Sequence, residues 1–225
     1  MDTLIGVVPD EWRQVLLGDI CEVTAGPSGA MMRFTDDQSA GVPIVVPKNI
    51  RNNRISADDL KLVNEDAAVK LVRYRLAAGD VVCVRTGEPG RHAPVSVEQV
   101  DWLFGTACLR LRPGASMTGQ YLSHYLGHPV VQDWIDRNSS GSAIRNLSAG
   151  TLVQLPVIVP PVISQRKIGD ILSALDAKVE IHEQVSRTTS ALRDSLLPLL
   201  VTGAFHPPTF DQPWLRGDVE DHPPE

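Results

Sequence analysis

The stretch Leu155–Leu200, LPVIVPPVISQRKIGDILSALDAKVEIHEQVSRTTSALRDSLLPLL, changes character in its middle. It opens as a β-branched run stopped by Pro160 and Pro161, then continues with apolar residues at helical spacing. Pro161 suits a first helical turn, where its missing N–H has no partner to lose. From Val162 to Leu197 there is no proline, and Gly169 is the only glycine. An apolar seam runs through Ile168, Leu172, Leu175, Val179, His182, Val185, Thr189, Leu192 and Leu196, with His182 and Thr189 its weak members. At ~1.5 Å per residue the segment predicts a rod of about 50 Å. That is more than the preceding globular part needs to cover itself. So narrow a seam over so many turns favours packing on another long helix. The alternative is a core helix folded back on its own domain.

Outward from that rod, the 225-residue chain has room for one large domain, or for one domain and an extended element. Hydrophobic residues, at 43%, are enough for a core. No cationic stretch leads into an apolar run at the start, so no signal peptide is expected. The apolar run Leu152–Ile163 is interrupted by Pro156, Pro160 and Pro161, so no membrane span is expected. Cys21, Cys83 and Cys108 are odd in number and far apart, which argues against a disulfide framework and a zinc site. A cytoplasmic protein is the expectation. The formal charge of −6 counts against nucleic-acid binding when taken alone. Between His206 and Glu225, however, five acids face one base, so −4 of that charge sits in the last twenty residues. The body is close to neutral and has room for a basic face.

Three regions follow: a mixed globular part over 1–160, the helix over 161–200, and an acidic, proline-rich tail over 203–225 expected to be disordered. Strands are expected at Val15–Val23, Pro43–Val46, Asp80–Val84 and Ala107–Arg112. Gly79 closes one turn, and Gly87-Glu88-Pro89-Gly90 opens another. Between Met117 and Asn138 one helix ends near Gly127 and a second starts at Pro129. The inner stripes are Tyr121, Leu122, Tyr125 and Leu126, then Val130, Val131, Trp134 and Ile135. Ser148 caps a short helical turn that runs into a buried strand.

The junction LPVIVPPVISQRKIGDILSALDAKV, with Pro160-Pro161, Gln165 and Ile168, resembles the end of a target recognition domain and its conserved-region helix in the specificity (S) subunits of Type I restriction-modification systems. GVVPDEWRQVLLGDICEVTAG is similar to that family's entry segment, with a Pro-x-x-Trp leading into a Leu-Gly-Asp strand. IVVPKNIRNNRIS, LAAGDVVCVRTGEPG and SSGSAIRNLSAGTLVQLPV resemble further segments in the same order, and the likeness spans about residues 5–203. It implies an α/β (α+β) globular target recognition domain followed by a long helix that forms an antiparallel coiled coil. Family members usually carry two such domains and two helices, so the chain looks like a half-length form. The resemblance therefore implies a homodimer through the long helix, using Ile168, Leu172, Leu175, Val179, His182, Val185, Leu192 and Leu196. It also implies double-stranded DNA, an adenine methyltransferase (M) subunit and a restriction (R) subunit as partners, no cofactor, and no catalysis by this chain.

Sequence is read by Arg, Lys, Asn, Gln, Ser and Thr at base edges, while other cations hold phosphates. Three loops offer such groups. The first holds Lys48, Asn49, Arg51, Asn52, Asn53 and Arg54; the second holds Arg85, Thr86, Gly87, Arg91 and His92. The third holds Asn138, Ser139, Ser140, Ser142, Arg145 and Asn146, and Arg33 is a further candidate. Gly87 and Gly90 would admit a close backbone approach. The bland reading of each loop is a solvated turn. No dinucleotide fingerprint, P-loop or Asn/Asp-Pro-Pro-aromatic segment is present, and Pro160-Pro161 follows Val159. His124 and His128 read as a helix end, Asp176 and Glu180 as solvated, and Cys108 as core. A coiled-coil interaction or inhibitor protein without DNA binding is the competing class. A hydrolase built on Cys108 or a histidine is a remote third.

Overall fold

In the computed structural model residues 2–37 and 41–203 are described, so the expected acidic tail lies outside them apart from its first residue, Gly203. Met1–Asp176 form one compact unit, and a second begins at Ala177. The first unit holds two four-stranded sheets. In one, the strands run in the order His92–Pro94, Val81–Val84, Cys108–Pro113, Cys21–Ala25, with antiparallel neighbours. The other runs Leu103–Phe104, Gly41–Val45, Lys61–Asn64, Phe34–Thr35, its first pair parallel.

Val81–Val84 is the hinge of the core, and its period of two shows why. Val81 and Cys83 face a cluster with Leu109, Leu111, Leu122 and Leu126, while Val82 and Val84 face another with Val45, Ile50, Phe104 and Cys108. A strand buried on both faces reads as a continuous apolar run, as VVCV does. Two charged groups enter this interior already paired: buried Arg110 donates to Glu22 Oε1 at 2.9 Å, and buried Asp80 is met by half-exposed Arg112, which forks onto it at 2.7 and 2.8 Å.

The strand expected at Val15–Val23 is two strands, Arg13–Leu16 and Cys21–Ala25, parted by one helical turn, α1 (Leu17–Ile20). The break is tertiary in origin. Leu17 N–H and Gly18 N–H donate to the carbonyls of Leu155 and Val153, both at 2.9 Å. A Cβ on Gly18 would lie 2.9 Å from Val153 Cβ. Arg13–Leu16 then pairs with Pro156–Val159, bringing the two ends of the body together.

The helices follow local signals. Asn64 caps α2 (Glu65–Val69), accepting from Asp66 N–H. Thr118 caps α3 (Gly119–Leu126), and its expected stripe of Tyr121, Leu122, Tyr125 and Leu126 is buried. In α4 (Pro129–Asn138), Val131 and Ile135 are buried and Trp134 packs beside them, whereas Val130 is exposed. Ser148 caps α5 (Ala149–Leu152) as expected. The long helix, α6 (Val162–Val201), is 40 residues and passes through Pro198. Its first turns belong to the compact body.

Candidate nucleic-acid interface

The first candidate loop is a tight turn followed by a hairpin. Asn49 is buried: its Oδ1 accepts from Val46 N–H at 3.1 Å and its Nδ2 donates to Asp58 O at 3.2 Å. It shapes the turn instead of facing outward. Lys48 is paired with Asp59, and that lysine holds the aspartate below the usual carboxylate range. Ile50 and Arg51 then pair with Ile55 and Arg54 across a two-residue tip. Both tip residues, Asn52 and Asn53, have positive φ (49° and 58°), a type I′ turn that asparagine tolerates. Arg51 and Asn52 are exposed; Arg54 is half-buried.

The second loop is divided. Arg85 and Thr86 are half-buried, and Gly87 is exposed with φ of 93° and open space where a side chain would stand. Gly90 is different. A Cβ there would lie 2.8 Å from Gln132 Oε1 and 3.1 Å from Ile135 Cγ2, so α4 packs against it and it is buried. His92 is buried with Nδ1 2.7 Å from Gly90 O, and burial pushes its pKa below the ordinary imidazole value. It braces the loop from inside.

The third loop leaves α4. Asn138 Nδ2 donates to Trp134 O at 2.8 Å and Ser139 Oγ to Ile135 O at 2.7 Å, finishing the helix. Ser140 and Asn146 exchange backbone hydrogen bonds at 2.9 and 2.7 Å, closing a small loop whose crest, Gly141 to Ile144 including Ser142, is exposed.

These loops, far apart in sequence, are joined. Thr86 and Gly87 form a two-rung antiparallel ladder with Asn146 and Arg145, reinforced by Thr86 Oγ1 donating to Asn146 Oδ1 at 3.0 Å. Arg91 Nη2 donates to Pro47 O at 2.7 Å, tying the second loop to the first. The three loops are thus held to one another by hydrogen bonds. Their cations are moderated by neighbours: Arg91 with Glu88 at 3.0 Å, Arg145 with Asp136 at 2.8 Å, and Lys48 with Asp59. Such solvated pairs are weak, and a phosphate can displace the carboxylate. Among the described residues Arg51 and Arg85 make no side-chain hydrogen bond or ion pair. Arg33 stands beside a separate cleft of about 480 Å³ lined by Met31, Phe34, Asn64 and Lys70.

Along α6, Ile168 packs on the core of the body and so is taken from the expected seam. Leu172 is 36% exposed, and Leu175, Val179, Val185 and Leu192 are each more than half exposed; His182 and Thr189 are also exposed, while Leu196 is half-buried.

The residues that fasten this helix within the body escaped the sequence reading. Gln165 is fully buried and uses its whole amide: Oε1 accepts from Thr118 N–H, and Nε2 donates to Ser116 O and Pro160 O, all at 2.8 Å. Ser173 meets Gln120 and His124 at 2.6 and 3.1 Å. Asp176, expected to be solvated, instead accepts from Asn53 Nδ2 at 3.0 Å. The available signal was a polar or small residue at 165, 169, 173 and 176, one helical face.

Other chemistry finds little support in the geometry. Burial pushes the Cys21, Cys83 and Cys108 thiols up to about 12, which makes them poor nucleophiles. His128 caps α4, and His124 sits against Ser173. Among the described residues no three His, Cys, Asp or Glu side chains gather as a metal site requires, and no helix is long and apolar enough to cross a membrane.

A chain from a solved type I R-M system, studied for complex assembly and conformational transition, matches 85% of this chain at a TM-score of 0.62 and 19% identity, using 45% of its own length. The HsdS subunit from Thermoanaerobacter tengcongensis covers 86% at 0.54 and 17% identity, over 45% of that chain. The S subunit from M. genitalium covers 89% at 0.59 and 13%, over 48%. The fold is thus that of restriction-modification S subunits. Residues 9–188 match the model of the type I restriction modification DNA specificity domain, and the chain belongs to that family. Over 97% of its length it is 26% identical to a putative type I restriction enzyme MjaX specificity subunit of Methanocaldococcus jannaschii, covering 52% of that protein. Over 89% it is 22% identical to the StySPI specificity subunit of Salmonella potsdam, covering 44%. The chain spans about half the length of the curated relatives it matches.

Proposed function

We propose that the chain recognises sequence in double-stranded DNA and directs an adenine-specific methyltransferase subunit, together with a restriction subunit where one is present, to a bipartite target. The observation that carries this reading is the tying together of the three polar loops by hydrogen bonds, with Arg51, Arg85, Gly87 and Ser142 on them offered to bases and phosphates. The chain itself does no bond chemistry in this account; flipping and methylating the target adenine belong to the partner.

The apolar seam from Leu172 through Leu192 supports the other half of the reading, a second copy of the same helix. A seam facing its own copy antiparallel is self-complementary under a two-fold axis, so the two reading surfaces would take inverted half-sites. The carboxylates beside Lys48, Arg91 and Arg145 favour a rival reading as an interaction scaffold that leaves DNA alone. They also predict weak DNA binding by the isolated chain.

The methylome of cells producing the chain with a type I adenine methyltransferase separates the two. New adenine methylation at a palindromic, two-part motif, absent without the chain, is expected. No new methylation would favour the scaffold.

A further inference from the structure

The Ile50–Ile55 hairpin has two rungs only, Ile50 with Ile55 and Arg51 with Arg54. So short a ribbon does not hold its tip in place unaided. Its two tip asparagines share a left-handed backbone but not a fate: Asn52 is exposed, and Asn53 turns inward. Ser123 Oγ, fully buried on α3, donates to Asn53 Oδ1 at 2.6 Å. Asn53 Nδ2 donates to Asp176 Oδ2, on α6, at 3.0 Å. The primary amide meets both demands at once, its oxygen taking the hydroxyl of one neighbour and its N–H the carboxylate of the other. The receiving end is itself fixed, since Gln165 is locked by three bonds and Ser173 is held by Gln120 and His124.

Resting on the DNA-recognition reading above, we propose that Asn53 is a positioning residue for specificity. Through Ser123 and Asp176 it registers Arg51 and Asn52 of the hairpin onto α3 and the root of α6. The reading tip thereby takes its place from the same helix that carries the seam, and sequence choice depends on a contact that touches no DNA.

The test compares wild type, Asn53→Asp and the exchange Asn53→Asp with Asp176→Asn. Aspartate at 53 sets two carboxylates against each other. In the exchange, the amide at 176 donates to the carboxylate at 53, which still accepts from Ser123, so the tie is restored with its polarity reversed. Hydrogen exchange on the full chain is expected to quicken at residues 50–55 in Asn53→Asp and to recover in the exchange variant. Unchanged protection at 50–55, or loss spread over the whole body, overturns the proposal. In the methylome, Asn53→Asp is expected to lower the ratio of cognate to near-cognate methylation about ten-fold, the scale of one base contact, with recovery in the exchange variant. An unaltered motif in Asn53→Asp, or a relaxed one in the exchange variant, also overturns it. Absence of any motif in wild type instead defeats the DNA-recognition reading, and the hydrogen-exchange result still decides whether Asn53 holds the hairpin.

Discussion

The turns of α6 up to Asp176 and those from Ala177 onward belong to one uninterrupted helix and differ in the polar contacts they make. The first stretch inserts polar or small groups at Gln165, Gly169, Ser173 and Asp176, each with a named neighbour on the body. The later stretch shows Val179, Val185 and Leu192 more than half exposed, with Ile181 equally open off the seam. Buried hydrogen bonds have one solution and so set a unique register; apolar contacts set strength but tolerate sliding. The helix root is built for a fixed seat, and the apolar side chains beyond it stay exposed.

The largest effect that can break this contrast is at the root. Gln165→Ala removes three hydrogen bonds and strands the Thr118 N–H and the carbonyls of Ser116 and Pro160. It is expected to cost about 3 kcal/mol, read as a lower urea midpoint. A loss below about 1 kcal/mol would mean that the seat rests on apolar packing after all.

Next comes the surface. Arg51→Ala and Arg85→Ala are each expected to weaken DNA binding by the chain mixed with a type I methyltransferase about ten-fold, and to lower the slope against salt by about 1 wherever the contact is to phosphate. Unchanged affinity in both would return the loops to solvated turns. The helix seat is untouched by either change, so the unfolding midpoint should stay at the wild-type value.

The smallest effect is in pH. Burial holds the His92 imidazole below its usual pKa, and the same cause lowers His124. The unfolded chain therefore takes up these protons first. Stability is whole above the ordinary imidazole pKa of about 6.5 and falls as pH drops below it. Melting temperature should decline between about pH 7.5 and about pH 5.5, and His92→Asn, which can still donate to Gly90 O, should flatten that decline. A slope unchanged in His92→Asn would assign it to other groups.

What was legible in the sequence was local. The α3 stripe, the Ser148 cap and the start of α6 after Pro161 depend on neighbours a few residues away, and periodicity reports them. What was hidden depends on distant chain. The turn that splits Val15–Val23 is caused by carbonyls at Val153 and Leu155, and Gly90 is closed by α4 while its near neighbour Gly87 stays open. Asn52 and Asn53 are the same residue type in the same backbone state, and it is the arrival of Ser123 and Asp176 that makes Asn53 a brace. The candidate loops were visible as composition; that they are tied to one another follows from Thr86 with Asn146 and Arg91 with Pro47.

The pairing of the far half of α6 with its own copy can be weighed directly by sedimentation equilibrium of the purified chain at micromolar concentration. A species of twice the 24.5 kDa chain mass is expected, reverting to 24.5 kDa when Val179 and Leu192 are both replaced by glutamate. A wild-type chain that sediments at 24.5 kDa throughout would contradict the account.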